Sequence, residues 1–201
     1  MRKVIGGGCI ILGMICLLTS IGFVGYNRYE ADRAEEASQV LLQSVQTTIT
    51  KQPEIIPEAS IPQNIQEMES QKMLTVPVGS YDSIGILSIP VLELELAVLT
   101  DWDYEKLKRA PCHYYGSCYE TDFVIAAHNY PSHFGRLSQL QAGDLVLFTD
   151  VTGQTLYYEV VLLETLAATA TEEMISSGFG LTLYTCTPGG SNRVTVRCNS
   201  L

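Results

Sequence analysis

The sequence predicts a mainly β domain, a barrel or a sandwich with short helices, preceded by an N-terminal transmembrane helix. Short apolar runs rich in β-branched residues recur from Tyr81 onward, and Gly, Asp and Pro separate them. A long apolar run without charges lies near the N-terminus. Many short strands with few helices are typical of barrels and sandwiches.

The N-terminal apolar run extends from Val4 to Tyr26, about 23 residues, and a membrane-spanning helix needs about 20. Arg2 and Lys3 precede it, which favours a cytoplasmic N-terminus (residues 1–3) and places the rest of the chain outside the cell. The alternative is a cleaved signal peptide. The run is long for such a peptide, and it ends in Phe23-Val-Gly-Tyr, a poor cleavage site. We therefore expect a single-pass anchor (residues 4–26) in the plasma membrane.

Residues 27–80 are expected to connect this anchor to the domain. Asn27 to Lys51 are rich in Ala, Glu, Gln and Leu and could extend the helix outward as a stalk. Gln52 to Ser80 contain several prolines among polar residues, a composition typical of an extended spacer. These patterns place the folded extracellular domain at residues 81–201.

Within this domain, seven apolar runs have the length and composition of strands, and two short helices interrupt them. The expected strands are Ile84–Ile89, Leu94–Leu99, Phe123–Ala127, Leu145–Thr149, Gln154–Leu163, Leu181–Thr185 and Arg193–Cys198. Thr100 or Asp101 can cap a helix that continues through Lys108. Thr171 can cap a second helix that ends before Gly178.

Charge and cysteine content exclude several classes of function. The formal net charge is −10, whereas a nucleic-acid-binding protein needs a basic surface. Four of the six cysteines lie in the domain, without the spacing of a zinc ribbon. Cys112, Cys118 and Cys198 are compatible with disulfides, which persist outside cells, and equally with burial as small apolar side chains. We expect neither a metal nor a cofactor.

Cys186 is the candidate nucleophile. Leu181 to Cys186 alternate as in a strand, and Thr187-Pro-Gly-Gly then predicts a turn. A thiol at the end of a strand lies at the edge of a sheet, where a substrate can reach it. Arg193 begins the next strand, so a short hairpin would place its guanidinium near the sulfur. There it could stabilise a thiolate and the oxyanion of a tetrahedral intermediate, although Arg197 competes for this role.

A cysteine nucleophile also needs a group that exchanges protons. His128 follows the apolar strand Phe123-Val-Ile-Ala-Ala and precedes a turn-forming stretch, so it lies at a strand end, as Cys186 does. A histidine in such a place has a structural role more often than a catalytic one. The hypothesis therefore depends on the combination of residues.

This combination resembles the sortases, in the family's order and across essentially all of residues 81–201. The Thr-Leu-x-Thr-Cys element followed by an Arg is highly specific, whereas the His-Asn pair alone is weak. The matching stretches are Ile84–Pro90, His113–Ser117, Ala127–Asn129, Phe134–Leu140, Gly143–Asp144, Thr182–Pro188 and Asn192–Arg193.

The resemblance implies a closed barrel of roughly eight strands, with His128, Cys186 and Arg193 as the catalytic residues. It further implies that Thr185 and Asn129 contribute to substrate binding. The implied reaction is cleavage of a Leu-Pro-x-Thr-Gly-like sorting motif after Thr, through an acyl-enzyme on Cys186. The implied partners are surface proteins with a C-terminal sorting motif and an amine acceptor, either a peptidoglycan cross-bridge or a pilin Lys, as in Gram-positive cell walls.

Two features set the chain apart within the family. Ala127 precedes His128, where most sortases have Gly, and the connection between Gln154 and Leu181 is short. A compact, class D-like sortase fits best. A cysteine hydrolase on the same site and a non-catalytic extracellular binding barrel are the alternatives.

Overall fold

The structure, a computed structural model, describes residues 2–50 and 73–201. A long helix, α1 (Arg2–Thr50), precedes the strands and two further helices, α2 (Tyr104–Leu107) and α3 (Thr171–Ile175). Single 3-10 turns lie at Pro90–Leu92 and Leu137–Gln139. The strands of the described part are β1 (Val76–Val78), β2 (Tyr81–Ile89), β3 (Leu94–Leu99), β4 (Cys112–Tyr115), β5 (Phe123–Ala126), β6 (Leu145–Asp150), β7 (Thr155–Ala167), β8 (Leu181–Cys186) and β9 (Asn192–Ser200).

Eight of these strands close into a barrel, which confirms the predicted fold. The strand order is β2-β3-β4-β5-β8-β9-β7-β6, and antiparallel pairing between β6 and β2 closes the ring. β1 pairs only with the beginning of β2, beside β6. Two pairs in the ring, β3–β4 and β5–β8, are parallel, and the others are antiparallel.

The period of two along each strand separates the barrel interior from its outer wall. In β9, Val196 and Cys198 belong to the buried core, while Arg193 and Arg197 lie on the opposite face. The interior is filled by aliphatic side chains and by Phe123 and other aromatic rings. This alternation is what the sequence pattern of β9 predicts.

All seven expected strands form, five of them one to three residues longer than predicted. The prediction missed β1, which is only three residues long and contains Pro77, and β4, which is short and partly polar. Both expected helix caps were wrong. Asp103, not Thr100 or Asp101, caps α2 and accepts hydrogen bonds from the amides of Glu105 and Lys106, both at 2.8 Å.

The N-terminal cap of α3 also differs from the prediction. Thr171 is already the first residue of the helix, and Ala170 occupies the cap position without a side-chain hydrogen bond. Hydrogen bonds from Arg197 to the carbonyls of Glu173 and Met174 connect this helix to the barrel.

Helix α1 continues without a break from the apolar segment onto the barrel wall. Its apolar window is fully exposed in the described part, and it is long enough to cross a membrane. Ala34, Ser38, Leu41 and Val45, spaced three or four residues apart, are buried. Leu41 and Val45 share a second apolar cluster with strand residues of the outer wall, among them Ala97. This packing fixes the direction of α1 relative to the barrel.

Most of the expected spacer, residues 51–72, lies outside the described residues. Strand β1 pairs just before the boundary expected at Ser80. The domain limits at residues 26 and 80 stay predictions.

Candidate active site

Two parallel strands bring His128 and Cys186 to the same end of the barrel. β5 and β8 pair in parallel, with Ala126 opposite Tyr184. The amide of Ala127 continues this pairing, donating to the carbonyl of Tyr184 at 3.2 Å. Since parallel strands end at the same edge, the residues that follow, His128 and Cys186, both lie at this edge.

A tight hairpin places Arg193 directly across from Cys186. The two residues are the last pair of the antiparallel β8–β9 ladder. The connecting turn is closed by the amide of Thr187 on the carbonyl of Asn192, at 3.0 Å. Gly189 and Gly190 both have positive φ there, 85° and 75°, which favours glycine. The hairpin expected from the Thr-Pro-Gly-Gly sequence is therefore present.

The Arg193 guanidinium is directed by the same turn. Its Nη1 donates to the carbonyl oxygens of Gly190, at 2.9 Å, and Asn192, at 3.1 Å. One guanidinium nitrogen thus holds the arginine to the hairpin, while Nε and Nη2 have no hydrogen bond to the described residues. These donors are free for a substrate oxygen.

His128 is half-buried and stacked. The ring of Tyr130 lies against it, with the centroids 4.8 Å apart and the planes at 28°. Burial, together with the positive charge of Lys108, lowers the pKa of His128 below its ordinary value of 6.5. At neutral pH the imidazole is therefore mostly neutral, the form that accepts a proton.

One cavity of about 240 Å³ contains all three predicted catalytic side chains, His128, Cys186 and Arg193, among its lining residues. The structure thus brings His128 together with Cys186 and Arg193, which are neighbours across a hairpin but lie far from His128 in the sequence. Their roles in a reaction stay predictions. The other two histidines lie elsewhere: His113 contacts the carbonyl of Gly116 at 2.8 Å, and His133 is fully buried.

An aromatic wall next to Cys186 was missed by the sequence analysis. Trp102, Tyr104, Tyr114 and Tyr184 line the same cavity, and their rings contact one another at centroid distances of 5.3 to 5.6 Å. Tyr184 could have been found, because it alternates onto the same strand face as Cys186. Trp102 could not, since the sequence suggested only a helix start at this position.

Another part of the lining comes from the end of β7 and from its connection to β8. Ala167, Ala168, Ala170, Thr171 and Met174 line the cavity there. The cavity therefore combines an aromatic and aliphatic lining with a thiol, an imidazole and a guanidinium, a composition typical of ligand-binding sites.

Thr185 and Asn129, the expected substrate-binding residues, do not line this cavity. Thr185 is buried, and its hydroxyl donates to the carbonyl of Ala127 at 2.8 Å. It therefore ties the strand of Cys186 to the segment that carries His128. Asn129 lies in a separate cleft against α1. Direct contact of either residue with a substrate stays a prediction.

Arg197, the alternative candidate for the role of Arg193, is 2% exposed, and each of its guanidinium nitrogens donates a hydrogen bond. Its guanidinium donates to Glu164 Oε1 at 2.8 Å, to Thr182 Oγ1 at 3.0 Å and to the carbonyls of Glu173 and Met174 in α3 at 2.6 and 3.3 Å. These bonds connect α3, which forms part of the cavity wall, to the barrel.

The remaining thiols of the domain are separate from the site. Cys112, Cys118 and Cys198 are buried and unpaired, and burial raises the pKa of each to about 12. Cys186 is half-buried and lines the cavity. Within residues 2–50 and 73–201, no group of His, Cys, Asp and Glu side chains is arranged to hold a metal ion.

The family model and the solved structures that match this chain indicate the same family. A family model described as "Sortase domain" matches residues 87–200, more than half of the chain. No curated protein matches the chain in sequence.

Solved structures with the same fold include several sortases. Sortase A from Corynebacterium diphtheriae is 25% identical with a TM-score of 0.54, and the match covers 60% of this chain and 61% of that chain. Sortase C1 from Streptococcus suis is 28% identical with a TM-score of 0.52, covering 59% and 73%. A Clostridium perfringens sortase D5 transpeptidase is 20% identical with a TM-score of 0.53, covering 59% and 79%, and this likeness concerns the fold alone.

Proposed function

This chain belongs to the sortase family, and we propose that it is a membrane-anchored cysteine transpeptidase that uses Cys186, His128 and Arg193. The observation that carries the proposal is the single cavity lined by these three side chains. Candidate substrates are surface proteins with a C-terminal Leu-Pro-x-Thr-Gly-like motif, which the apolar and aromatic cleft next to Cys186 can hold as an extended peptide.

The first half of the reaction forms a thioester. The sulfur of Cys186 attacks the carbonyl carbon of the motif's Thr, and the proton of the thiol passes to the imidazole of His128. The carbonyl oxygen gains negative charge, and the guanidinium of Arg193 donates hydrogen bonds to it. When the intermediate collapses, the bond to Gly breaks, and His128 returns the proton to the leaving amine.

The second half transfers the acyl group. An amine attacks the thioester carbon, His128 accepts a proton from it, and the sulfur leaves with the C–S electron pair and regains its proton. The product is a new amide between the substrate Thr and the acceptor. The proposed acceptors are a peptidoglycan cross-bridge and a pilin Lys.

We further propose that α1 crosses the plasma membrane once, with the barrel on the cell-wall side. The basic residues before the apolar segment support this orientation. The short connection between β7 and β8 supports a compact, class D-like enzyme.

The test uses the full chain in detergent and a library of Leu-Pro-x-Thr-Gly-like peptides, with and without triglycine as the amine. We expect an acyl adduct on Cys186, detected by intact mass and peptide mapping. We also expect a product that contains the triglycine. Cys186→Ala should give neither, while Cys118→Ala, which changes a buried thiol, should give both.

Two results would contradict the proposal. Free acid as the sole product in the presence of triglycine would indicate a hydrolase. If no peptide acylates the protein and iodoacetamide does not react selectively at Cys186, the chain is a non-catalytic binding barrel.

A further inference from the structure

The loop that follows His128 lies against α1 close to its apolar segment. Residues 129–132, called here the rim loop, form a cleft of about 790 Å³ with α1 residues between Tyr26 and Glu35. The stacked pair of Tyr130 and His128 connects this loop directly to the candidate active site.

The helix provides a scale for height above the membrane, since an α-helix rises about 1.5 Å per residue. The apolar segment Val4–Tyr26 is then about 34 Å long, slightly more than the roughly 30 Å of a bilayer's hydrocarbon core. With α1 as the proposed membrane anchor, Tyr26 would lie in the headgroup layer. Ala34, the first buried residue of α1 beyond Tyr26, is only about 12 Å farther along the axis.

The opposite end of the barrel is much farther from the membrane. The turn between β6 and β7 lies beside the C-terminal end of α1, where a Cβ on Gly153 would be 3.8 Å from Ile49. Ile49 is about 34 Å beyond Tyr26 along the helix. The barrel thus has a membrane-near end, with the rim loop, and a membrane-far end, with the β6–β7 turn.

The packing of α1 fixes these heights. Ala34, Leu41 and Val45 are buried against the barrel on one continuous helix. A flexible link would allow the barrel to rotate freely above the membrane, but a helix that enters the barrel wall directly from the apolar segment does not.

The side chains at the membrane-near end suit a lipid headgroup layer. Tyr26 and Tyr29 on α1 are exposed, and tyrosine is enriched at membrane interfaces. Arg33, Lys108 and Arg109 line an adjacent cleft together with Glu30 and Glu105, and Glu105 pairs with Lys108 at 2.7 Å. Basic side chains such as Arg33 and Arg109 are attracted to anionic lipid headgroups.

From this geometry we propose that the rim loop rests on the lipid headgroups, so that the active-site end of the barrel faces the membrane surface. The inference depends on the proposed anchoring by α1. The partner is the bilayer itself, and a substrate would enter the cavity from the side of the membrane surface.

Tryptophan fluorescence in vesicles tests this placement, because the chain has one Trp, Trp102. Single-Trp versions of the full chain are made in a Trp102→Phe background: Pro131→Trp in the rim loop, Gln154→Trp at the membrane-far end and Phe23→Trp in the apolar segment. All three original side chains are exposed. The vesicles contain phosphatidylcholine and phosphatidylglycerol, with spin labels on the headgroups or at the bilayer centre.

We expect headgroup labels to quench Pro131→Trp at least about twofold more strongly than Gln154→Trp, since quenching by spin labels needs close approach. Equal quenching of these two variants, with Phe23→Trp quenched by the bilayer-centre label, would overturn the inference but leave the anchoring intact. Absence of quenching in Phe23→Trp would refute the anchoring and the inference together. If Pro131→Trp does not fold, as judged by circular dichroism, Asn129→Trp replaces it, because Asn129 is also exposed.

Discussion

At the scale of single residues, Arg193 and Arg197 share one face of β9 but have different surroundings. Arg193 lies across from Cys186 and is bonded only to the turn. Arg197 is buried, with an acidic partner in Glu164 and two carbonyl acceptors in α3. A guanidinium with free donors can bind a substrate, whereas one with all its nitrogens engaged stabilises the fold.

Substituting each arginine should separate these roles. Arg193→Ala should lower kcat/KM by about 10²–10³, the usual loss for one oxyanion donor, with little change in the free energy of unfolding. Arg197→Ala should destabilise the domain by about 3 kcal/mol, because it leaves the partner groups of a buried cation unpaired. Peptide-transfer kinetics and thermal unfolding, measured on both variants, check this. A stable Arg197→Ala protein with the larger loss of kcat would reverse the assignment.

At the scale of elements, the contact between α1 and the barrel contains an unusual buried histidine. His133 is fully buried, and neither ring nitrogen reaches hydrogen-bond geometry with a described residue. Burial is the main cause that lowers the pKa of His133 to about 4, and the neighbouring His128 lowers it further. The nearby backbone of Ala34 acts in the opposite direction, but it does not offset burial. The folded state therefore requires the neutral imidazole.

Stability should consequently fall in mildly acidic solution. In the unfolded chain His133 has its ordinary pKa of 6.5, so above that pH both states are neutral and stability is complete. Between pH 6.5 and 4 the unfolded state binds a proton that the folded state excludes, which costs about 3 kcal/mol at pH 4. Chemical denaturation of the full chain in detergent, at pH 7 and pH 4, measures this loss.

His133→Phe provides the matched control, because it fills the same space without a titratable group. The carboxylates contribute equally to the pH dependence of the parent and of the variant. The difference between the two proteins in unfolding free energy lost from pH 7 to pH 4 therefore comes from His133. The variant should lose about 3 kcal/mol less than the parent between the two pH values. Identical pH profiles would show that the imidazole is not held neutral.

At the scale of the whole molecule, closure of the barrel depends on the pairing of β2 with β6. Gly85 lies at this junction, where β2 also shifts register against β3. Its φ is 154°, and a Cβ there would overlap the carbonyl oxygen of Thr149, which precedes Asp150, the partner of Gly85 in β6. A side chain at this position therefore has to push β6 away from β2.

Gly85→Ala should accordingly destabilise the barrel by more than about 2 kcal/mol, through strain and overpacking. Gly189→Ala is a suitable control, since Gly189 also has positive φ but has open space around its Cβ position. Gly189→Ala should lower the free energy of unfolding by about 1 kcal/mol, because only backbone strain opposes the added methyl group. Urea unfolding of both variants measures the difference, and equal losses would mean that closure tolerates a methyl group at Gly85.

The degree to which the sequence predicted the structure differs between elements. Strands such as β8 and β9 were predictable, because their alternation is local and strong. β4 was missed, since Cys112-His-Tyr-Tyr carries a weak apolar signal and becomes a strand through its pairing with β3 and β5. The caps of α2 and α3 were displaced by one to three residues, because the path of the preceding loop decides where a helix begins. Asp103 caps α2 with its side chain, whereas Ala170 occupies the cap position of α3 without a side-chain hydrogen bond.

For the site, the sequence by itself determined the three chemical groups, the hairpin that joins Cys186 to Arg193 and the membrane-length helix. These features depend on residue type and short spacing, which the linear chain already contains. The tertiary structure alone decided which arginine is free, that Trp102 and Tyr114 form a wall beside the sulfur, and that α1 packs on the barrel. Each of these depends on contacts between segments far apart in the chain, and only the closed fold brings those segments together.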